Sequence, residues 1–330
     1  MIDPETRARL RDIKGITTAG EGEKWIADTN TKRSSIVVGV EYKKPKYELK
    51  KRDVVPVEIK GVETDVIETH KIWALGVMPL KALAFDQRMR PFPAGISGGH
   101  PKITAGTIGC FCKKGSLTCI LTNNHVAANC NDANIEDGFY QPAVYDTGSL
   151  ADDVGGLLDF EILKFIGEEN SNCVISKVLK SSLNFLYGLL GRKTRFKTYS
   201  TNMPINYMDA AIVRIDNLSL IKDEILKIGK IVGVSVADIG MEDQKTGRTT
   251  EYTKDKVIQK NVSTIVEYGA GRQCYFEGQF MSGPMCQAGD SGSAILDMNK
   301  NIIGLLFAGS DLVTIFSPIQ KVIDRFGLEF

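Results

Sequence analysis

The segment Met285-Cys286-Gln287-Ala288-Gly289-Asp290-Ser291-Gly292-Ser293-Ala294-Ile295-Leu296 places a serine between glycines just ahead of an apolar run. A serine so placed sits in a tight turn that can present its hydroxyl, while the backbone N–H groups of Gly289 and Ser291 can converge on a developing oxyanion. Taken alone, the segment reads equally well as a glycine-rich turn. A serine hydroxyl is a weak nucleophile at neutral pH and needs a neighbouring base. The chain has three histidines. His125 follows the β-branched run Ile120-Leu121-Thr122 and Asn123-Asn124, and precedes small residues suited to one helical turn. His70 lies in a charged run and His100 in a Gly/Pro-rich stretch, where surface roles suffice. A base needs a carboxylate to fix its tautomer and stabilise the imidazolium. Asp209, immediately ahead of the alternating run Ala211-Ile212-Val213-Arg214-Ile215, suits that role; by itself it reads as a turn or cap acid.

These residues need a scaffold, and 330 residues with 43% hydrophobic and 25% charged content suffice for two or three folding units. Lys and Arg number 41 against 40 Asp and Glu, so at a formal +1 no global field attracts nucleic acid or an acidic membrane, and neither is expected as a partner. Seven scattered cysteines are an odd count, unlike the spaced even set of a disulfide scaffold. The first ten residues are charged and lack the apolar stretch of an export signal. The apolar stretch Leu183–Leu190, broken by Asn184 and Gly188, falls far short of the ~20 residues needed to span a bilayer. The expected location is cytoplasmic, with reduced thiols.

Residues 1–78 read as a small N-terminal α+β unit. It comprises a helix from Pro4 stopped by Gly15, a strand over Ser35–Val40, a helical Lys46–Lys51, and a hairpin of Val54–Ile59 with Glu63–Glu68. Residues 79–101, with Pro- and Gly-rich Met89–Pro101, read as a linker without regular structure. Beyond it, short β-branched runs separated by Gly, Asn and Asp predict an all-β core. Two stretches with apolar residues at helical spacing interrupt it, Cys173–Leu190 and Leu218–Ile228. Cys110, Cys112, Cys119 and Cys130 lack paired C-x₂-C knuckles and read as small buried hydrophobes, so no metal is expected. Gly269-Ala270-Gly271 is not followed by a helix and makes no phosphate loop, and no cofactor is expected.

Asn-Asn-His125-Val-Ala-Ala, Asp209-Ala-Ala-Ile-Val-Arg-Ile and Gly289-Asp-Ser-Gly-Ser293, in the order His, Asp, Ser, resemble the motifs of the chymotrypsin-like (trypsin-like) serine peptidases. This order differs from that of subtilisin-like and α/β-hydrolase enzymes. Gly304–Ser310 resembles the strand that pairs with substrate backbone in that family. The longer pattern, with Gly247-Arg248-Thr249-Thr250 and the N-terminal unit, resembles an intracellular branch akin to the narrow-leaf peptidase of plants. The resemblance implies two antiparallel six-stranded β-barrels, over 102–217 with a helical insertion at 173–197 and over 218–330. It also implies serine endopeptidase activity through an acyl-enzyme: Ser291 as nucleophile, His125 as base, Asp209 orienting His125, and the amides of Gly289 and Ser291 as the oxyanion hole. The specificity pocket falls near Met285, with Cys286, Phe307, Ala308, Gly309 and Thr314 around it. No acid stands at its floor, so an apolar or small P1 residue is expected.

Eighty-four positions separate His125 from Asp209, more than the family usually spends, because the helix and Arg192–Lys197 are inserted. That insertion reads as a helix packed on the core with a solvated basic end, or as a lid or assembly surface. Ile96-Ser97-Gly98-Gly99 faintly resembles an activated N-terminus, but Gly95 precedes it, so Asp290 is expected to be held without processing there. The expected partners are a protein or peptide substrate and a second copy docking through the N-terminal unit or the inserted helix. The competing readings are a non-catalytic scaffold with a protease fold and an ester-directed acyl hydrolase.

Overall fold

The computed structural model describes residues 2–26, 29–75, 85–168, 174–192, 194, 196 and 203–330. Helix α1 (Pro4–Arg11) starts where Asp3 accepts from the Thr6 N–H at 3.0 Å, with Pro4 in the first turn, where no N–H is needed. It buries Leu10 against Ala19, Ile36, Val38 and Ile59. Strands β1 (Ile16–Ile26) and β2 (Thr29–Val40) form an antiparallel pair. The predicted helix at 46–51 is two short 3₁₀ turns. The predicted hairpin is β3 (Glu58–Ile59) and β4 (Val62–Glu68), turned by Lys60 and Gly61, both at positive φ. Strand β4 lies parallel to β2. The two residues of β5 (Trp73–Ala74), followed by Leu75, end the described part of this region.

The expected 79–101 linker is corrected by the structure. Residues 79–84 lie outside the described residues, but β6 (Phe92–Ala94) and β7 (Ser97–Gly98) are strands, and 92–100 are buried. Pro and Gly there mark tight packing rather than solvent. Strand β7 pairs with β8 (Gly106–Thr107), and β9 (Cys110–Lys114) with β10 (Leu117–Thr122). The single helical turn α2 (Asn124–Ala127) follows, then β11 (Gly138–Tyr140) and β12 (Asp153–Phe160). Helix α3 (Val174–Leu189) fulfils the predicted helix but exposes Ile175, Val178, Leu179, Phe185, Leu186 and Leu189 rather than packing them on the core. It is clasped by Asn184, which exchanges two hydrogen bonds with the Phe196 backbone. Cys173 and the basic Lys193, Arg195 and Lys197 lie outside the described residues.

After β13 (Ile205–Asn206) comes β14 (Ala211–Ile215), which completes an antiparallel sheet ordered β11-β12-β14-β10-β9. The helix predicted over 218–228 is instead one 3₁₀ turn and β15 (Ile221–Ile225), which runs parallel to β6. Its apolar side chains face Phe111 and the first core. The boundary expected at 217/218 therefore falls too early.

The remaining strands are β16 (Gly233–Val234), β17 (Glu242–Gly247), β18 (Glu251–Glu267), β19 (Gln273–Ser282), β20 (Ala294–Asp297), β21 (Asn301–Gly309) and β22 (Thr314–Pro318), followed by helix α4 (Ile319–Phe326). Their pairings close a six-stranded antiparallel ring, β17-β18-β19-β22-β21-β20. The N-terminal region is no separate unit: β1 pairs with β18 (Ala19 opposite Ser263), and β5 pairs with β18 and β21.

Candidate active site

The site is assembled from both β units. Strand β10 ends at Thr122, and α2 immediately turns His125 inward, where it is buried. Asn123 ties this turn to the neighbouring strand through its side-chain amide, which donates to the Asp209 carbonyl at 2.6 Å. Asp209 sits just ahead of β14, fully buried, and its Oδ2 lies 2.6 Å from His125 Nδ1. The backbone N–H of His125 also donates to Asp209 Oδ1 at 3.4 Å. A carboxylate on Nδ1 leaves Nε2 as the basic nitrogen.

Sequence reasoning missed Tyr268, whose hydroxyl donates to Asp209 Oδ2 at 2.7 Å and whose ring meets His125 edge-on at 5.7 Å. Burial, and then the Asp209 charge, push its phenol well above the ordinary range, so it stays a neutral donor. No signal in Tyr268-Gly269-Ala270-Gly271 marks this role, because the contact joins positions 59 residues apart.

Ser291 projects from the turn between β19 and β20. Gly289 and Gly292 have φ of +97° and +92°, a conformation side-chain-bearing residues rarely adopt. A Cβ on Gly292 would also strike Thr122 and the Thr107 carbonyl. The turn is roped to the first unit: Thr107 N–H donates to the Ser291 carbonyl at 2.8 Å, and Thr107 Oγ1 to the Gly289 carbonyl at 2.8 Å. Asp290 is fully buried and held by Thr249 N–H (2.8 Å), Thr250 N–H (3.1 Å), Thr250 Oγ1 (2.7 Å), Gln287 N–H (2.9 Å) and Lys245 Nζ (3.2 Å). The Gly247–Thr250 motif thus anchors Asp290, and Ile96 lies buried within the first unit, its carbonyl accepting from Ile108 N–H at 2.9 Å. Arg248 of the same motif forms a buried ion pair with Asp146.

The structure brings the other expected site residues together. Met285 N–H donates to Thr314 Oγ1 at 2.9 Å, and that hydroxyl lies 3.3 Å from Cys286 Sγ. Burial pushes the Cys286 thiol up to about 12, so it is a neutral wall rather than a nucleophile. Phe307, Ala308 and Gly309 form the end of β21 beside them. Ser291 is buried and its hydroxyl donates to the Phe307 carbonyl at 3.3 Å, while His125 Nε2 is buried without a hydrogen-bond partner among the described residues. The Gly289 N–H donates at 2.9 Å to a peptide carbonyl, that of Leu75. Among the described residues no cluster of His, Cys, Asp and Glu could hold a metal ion. His70 and His100 stand apart, bonded to Glu68 and Asp311, and to Asp137.

Neither a protein-family model nor a curated protein matches the sequence. Its solved neighbours are serine proteases. Thermobifida fusca Protease A is 16% identical, over 72% of this chain and 96% of that one, with a TM-score of 0.44. A glutamic acid-specific serine protease is 18% identical, over 72% and 98%, with a TM-score of 0.45. Cellulomonas bogoriensis chymotrypsin is 15% identical, over 72% and 97%, with a TM-score of 0.43. Likeness at that level carries no weight for the chemistry, which rests on the groups around Ser291. No helix among the described residues is long and apolar enough to cross a membrane.

Proposed function

We propose that this chain is a serine endopeptidase of chymotrypsin-like type, acting through His125, Asp209 and Ser291. The observation that carries the reading is the buried Asp209–His125 pair at 2.6 Å, with Tyr268 as a further donor to the same oxygen, and a serine turn whose Gly292 packs against Thr122 at the end of the strand that leads into His125. Such a pair orients Nε2 as a general base and stabilises the imidazolium that forms when Ser291 gives up its proton. Ser291 Oγ attacks a peptide carbonyl carbon, and the negative oxygen is held by the Gly289 and Ser291 amides. The proton passes through His125 to the leaving amine, and water then hydrolyses the acyl ester to restore Ser291. Loss of one oxyanion donor typically costs about 10²–10³ in turnover. The backbone edge of β21 at Ala308 and Gly309, which pairs with an extended segment of chain, favours peptide substrates over simple esters.

Met285, Cys286, Phe307, Ala308, Gly309 and Thr314 line the specificity pocket in this reading. Their lack of an acidic side chain makes P1 apolar. The buried, neutral thiols suit a reducing compartment, and we place the enzyme in the cytoplasm. Mass spectrometry after treatment with a fluorophosphonate tests the mechanism. The expected result is one adduct on Ser291, absent in Ser291→Ala and slowed by roughly 10⁴-fold or more in His125→Ala. Folded protein, including variants with an opened cleft, that never forms the adduct would end the reading.

A further inference from the structure

Trp73 and Ala74 pair antiparallel with Gly309 and Ala308, the end of β21 that borders Ser291. The chain then continues straight into the site. Leu75 N–H donates to the Phe307 carbonyl at 3.4 Å, and the Leu75 carbonyl accepts the Gly289 N–H at 2.9 Å. The Leu75 side chain is 2% exposed and belongs to the apolar cluster that contains Met285, Cys286, Leu306 and Phe316. Ala74 packs in the adjoining cluster with Tyr268, the neighbour of His125.

We infer that Ile72–Leu75 is the enzyme's own substrate segment, seated in the cleft with Leu75 at P1, and that the bond on the carboxyl side of Leu75 is cleaved in cis. The inference rests on the peptidase reading above and names its first substrate. A strand that merely covered the edge of β21 would need backbone pairing alone. This one also puts a carbonyl on the oxyanion donor and an apolar side chain between the residues of the specificity pocket. The three contacts share one register, so a shift of one residue along β21 would lose all of them. The occupant also fixes preference: a branched apolar residue at P1 and a small one at P2, where Ala74 packs in one cluster with Tyr268.

In the cleavage, the Ser291 hydroxyl turns from the Phe307 carbonyl toward His125 Nε2 and its oxygen bonds to the Leu75 carbonyl carbon. The proton passes to Nε2 and then to the departing amine of the next residue as the C–N bond breaks. Water adds to the resulting ester, leaving a Leu75 carboxylate, a new amino terminus and free Ser291. One water is consumed and no other reactant is needed. The segment plugs the cleft before and after the cut, because β5 remains paired with β18 and β21. A substrate supplied in trans must displace it.

The experiment follows purified full-length wild type, Ser291→Ala, Leu75→Met and Leu75→Asp by intact mass, N-terminal sequencing and fluorophosphonate labelling, with circular dichroism to establish folding. Wild type and Leu75→Met are expected to accumulate two fragments cut after position 75, the second beginning Gly-Val-Met. Ser291→Ala stays whole. Leu75→Asp also stays whole, yet labels at least about tenfold faster than wild type, because a carboxylate is expelled from an apolar pocket and the cleft opens. Wild type that labels at Ser291 but is never cut after Leu75, or a cut that persists in Ser291→Ala, overturns the inference and leaves the peptidase reading standing. Failure of folded wild type and folded Leu75→Asp alike to label overturns both.

Discussion

Tyr268 donates to a carboxylate that already serves His125, so the buried Asp209 charge is shared between two donors and held in one orientation. Removing the phenol oxygen leaves a fully buried charge with one bond fewer, and a hydrogen bond to a charged group is worth about 1.5–3 kcal/mol. Tyr268→Phe is expected to lower kcat by roughly tenfold, since ~1.4 kcal/mol corresponds to that factor. The KM for an apolar-P1 peptide should stay as it is, because the ring still fills its place. A matching rise in KM with kcat preserved would make Tyr268 a packing residue instead of a positioning one. At this scale the sequence was informative where chemistry leaves a local mark. Ser291 lies among glycines that its turn requires, and His125 lies at the end of a strand. Tyr268 and Lys245 left no such mark, because each acts on a residue tens of positions away, and a lone Tyr or Lys has many ordinary uses.

The short strand Trp73–Ala74 is held in place from the residues just before it. His70 bridges Glu68 of β4, at 3.0 Å from Nε2, and Asp311 of the loop after β21, at 2.7 Å from Nδ1, with the Tyr42 ring 5.1 Å away. Ser310 Oγ adds a hydrogen bond to the Thr69 carbonyl, and Lys71 pairs with Glu267 of β18. The hydrogen bond to Asp311, followed by that to Glu68, raises the His70 pKa above its ordinary 6.5. A raised folded-state pKa means that the clasp contributes fully below about 6.5 and is lost as pH climbs through the higher value. Labelling of Ser291 in wild type is therefore expected to rise more steeply above neutral pH than in His70→Gln, whose clasp does not titrate. Parallel pH profiles for the two proteins would remove His70 from the control of the cleft. The elements themselves were unevenly legible. The hairpin at Lys60-Gly61, the turn at His125 and the helix α3 follow local rules of turn chemistry and periodicity. The run Leu218–Ile228 fits a helical face and a buried strand alike, and the tertiary environment, where Ile221 and Ile225 pair with β6, decided for the strand. The Pro- and Gly-rich stretch before 101 reads as a linker because close packing uses the same residues as an exposed loop, and only its burial distinguishes the two.

The N-terminal region and the second β unit make one continuous sheet. Thr18, Ala19, Glu21 and Gly22 of β1 pair with Thr264, Ser263, Lys260 and Gln259 of β18, a strand of 17 residues. No pattern in either stretch announces a partner more than 200 positions away, which is why residues 1–78 read as a detachable unit. Without β1 this edge of β18 would present unpaired N–H and C=O groups, a template for association with other chains. Residues 76–330 produced alone are therefore expected to aggregate or to melt well below the full chain. Co-production with residues 1–75 as a separate polypeptide should restore a soluble complex that stays together through size-exclusion chromatography and separates in denaturant. The same arrangement predicts that cutting after Leu75 changes the covalent chain without releasing its first part, because the ladder from β1 to β18 does not pass through the cut bond. Soluble, monodisperse 76–330 with an unchanged melting temperature would contradict this, and would make the long N-terminal sheet dispensable to the fold that carries Ser291.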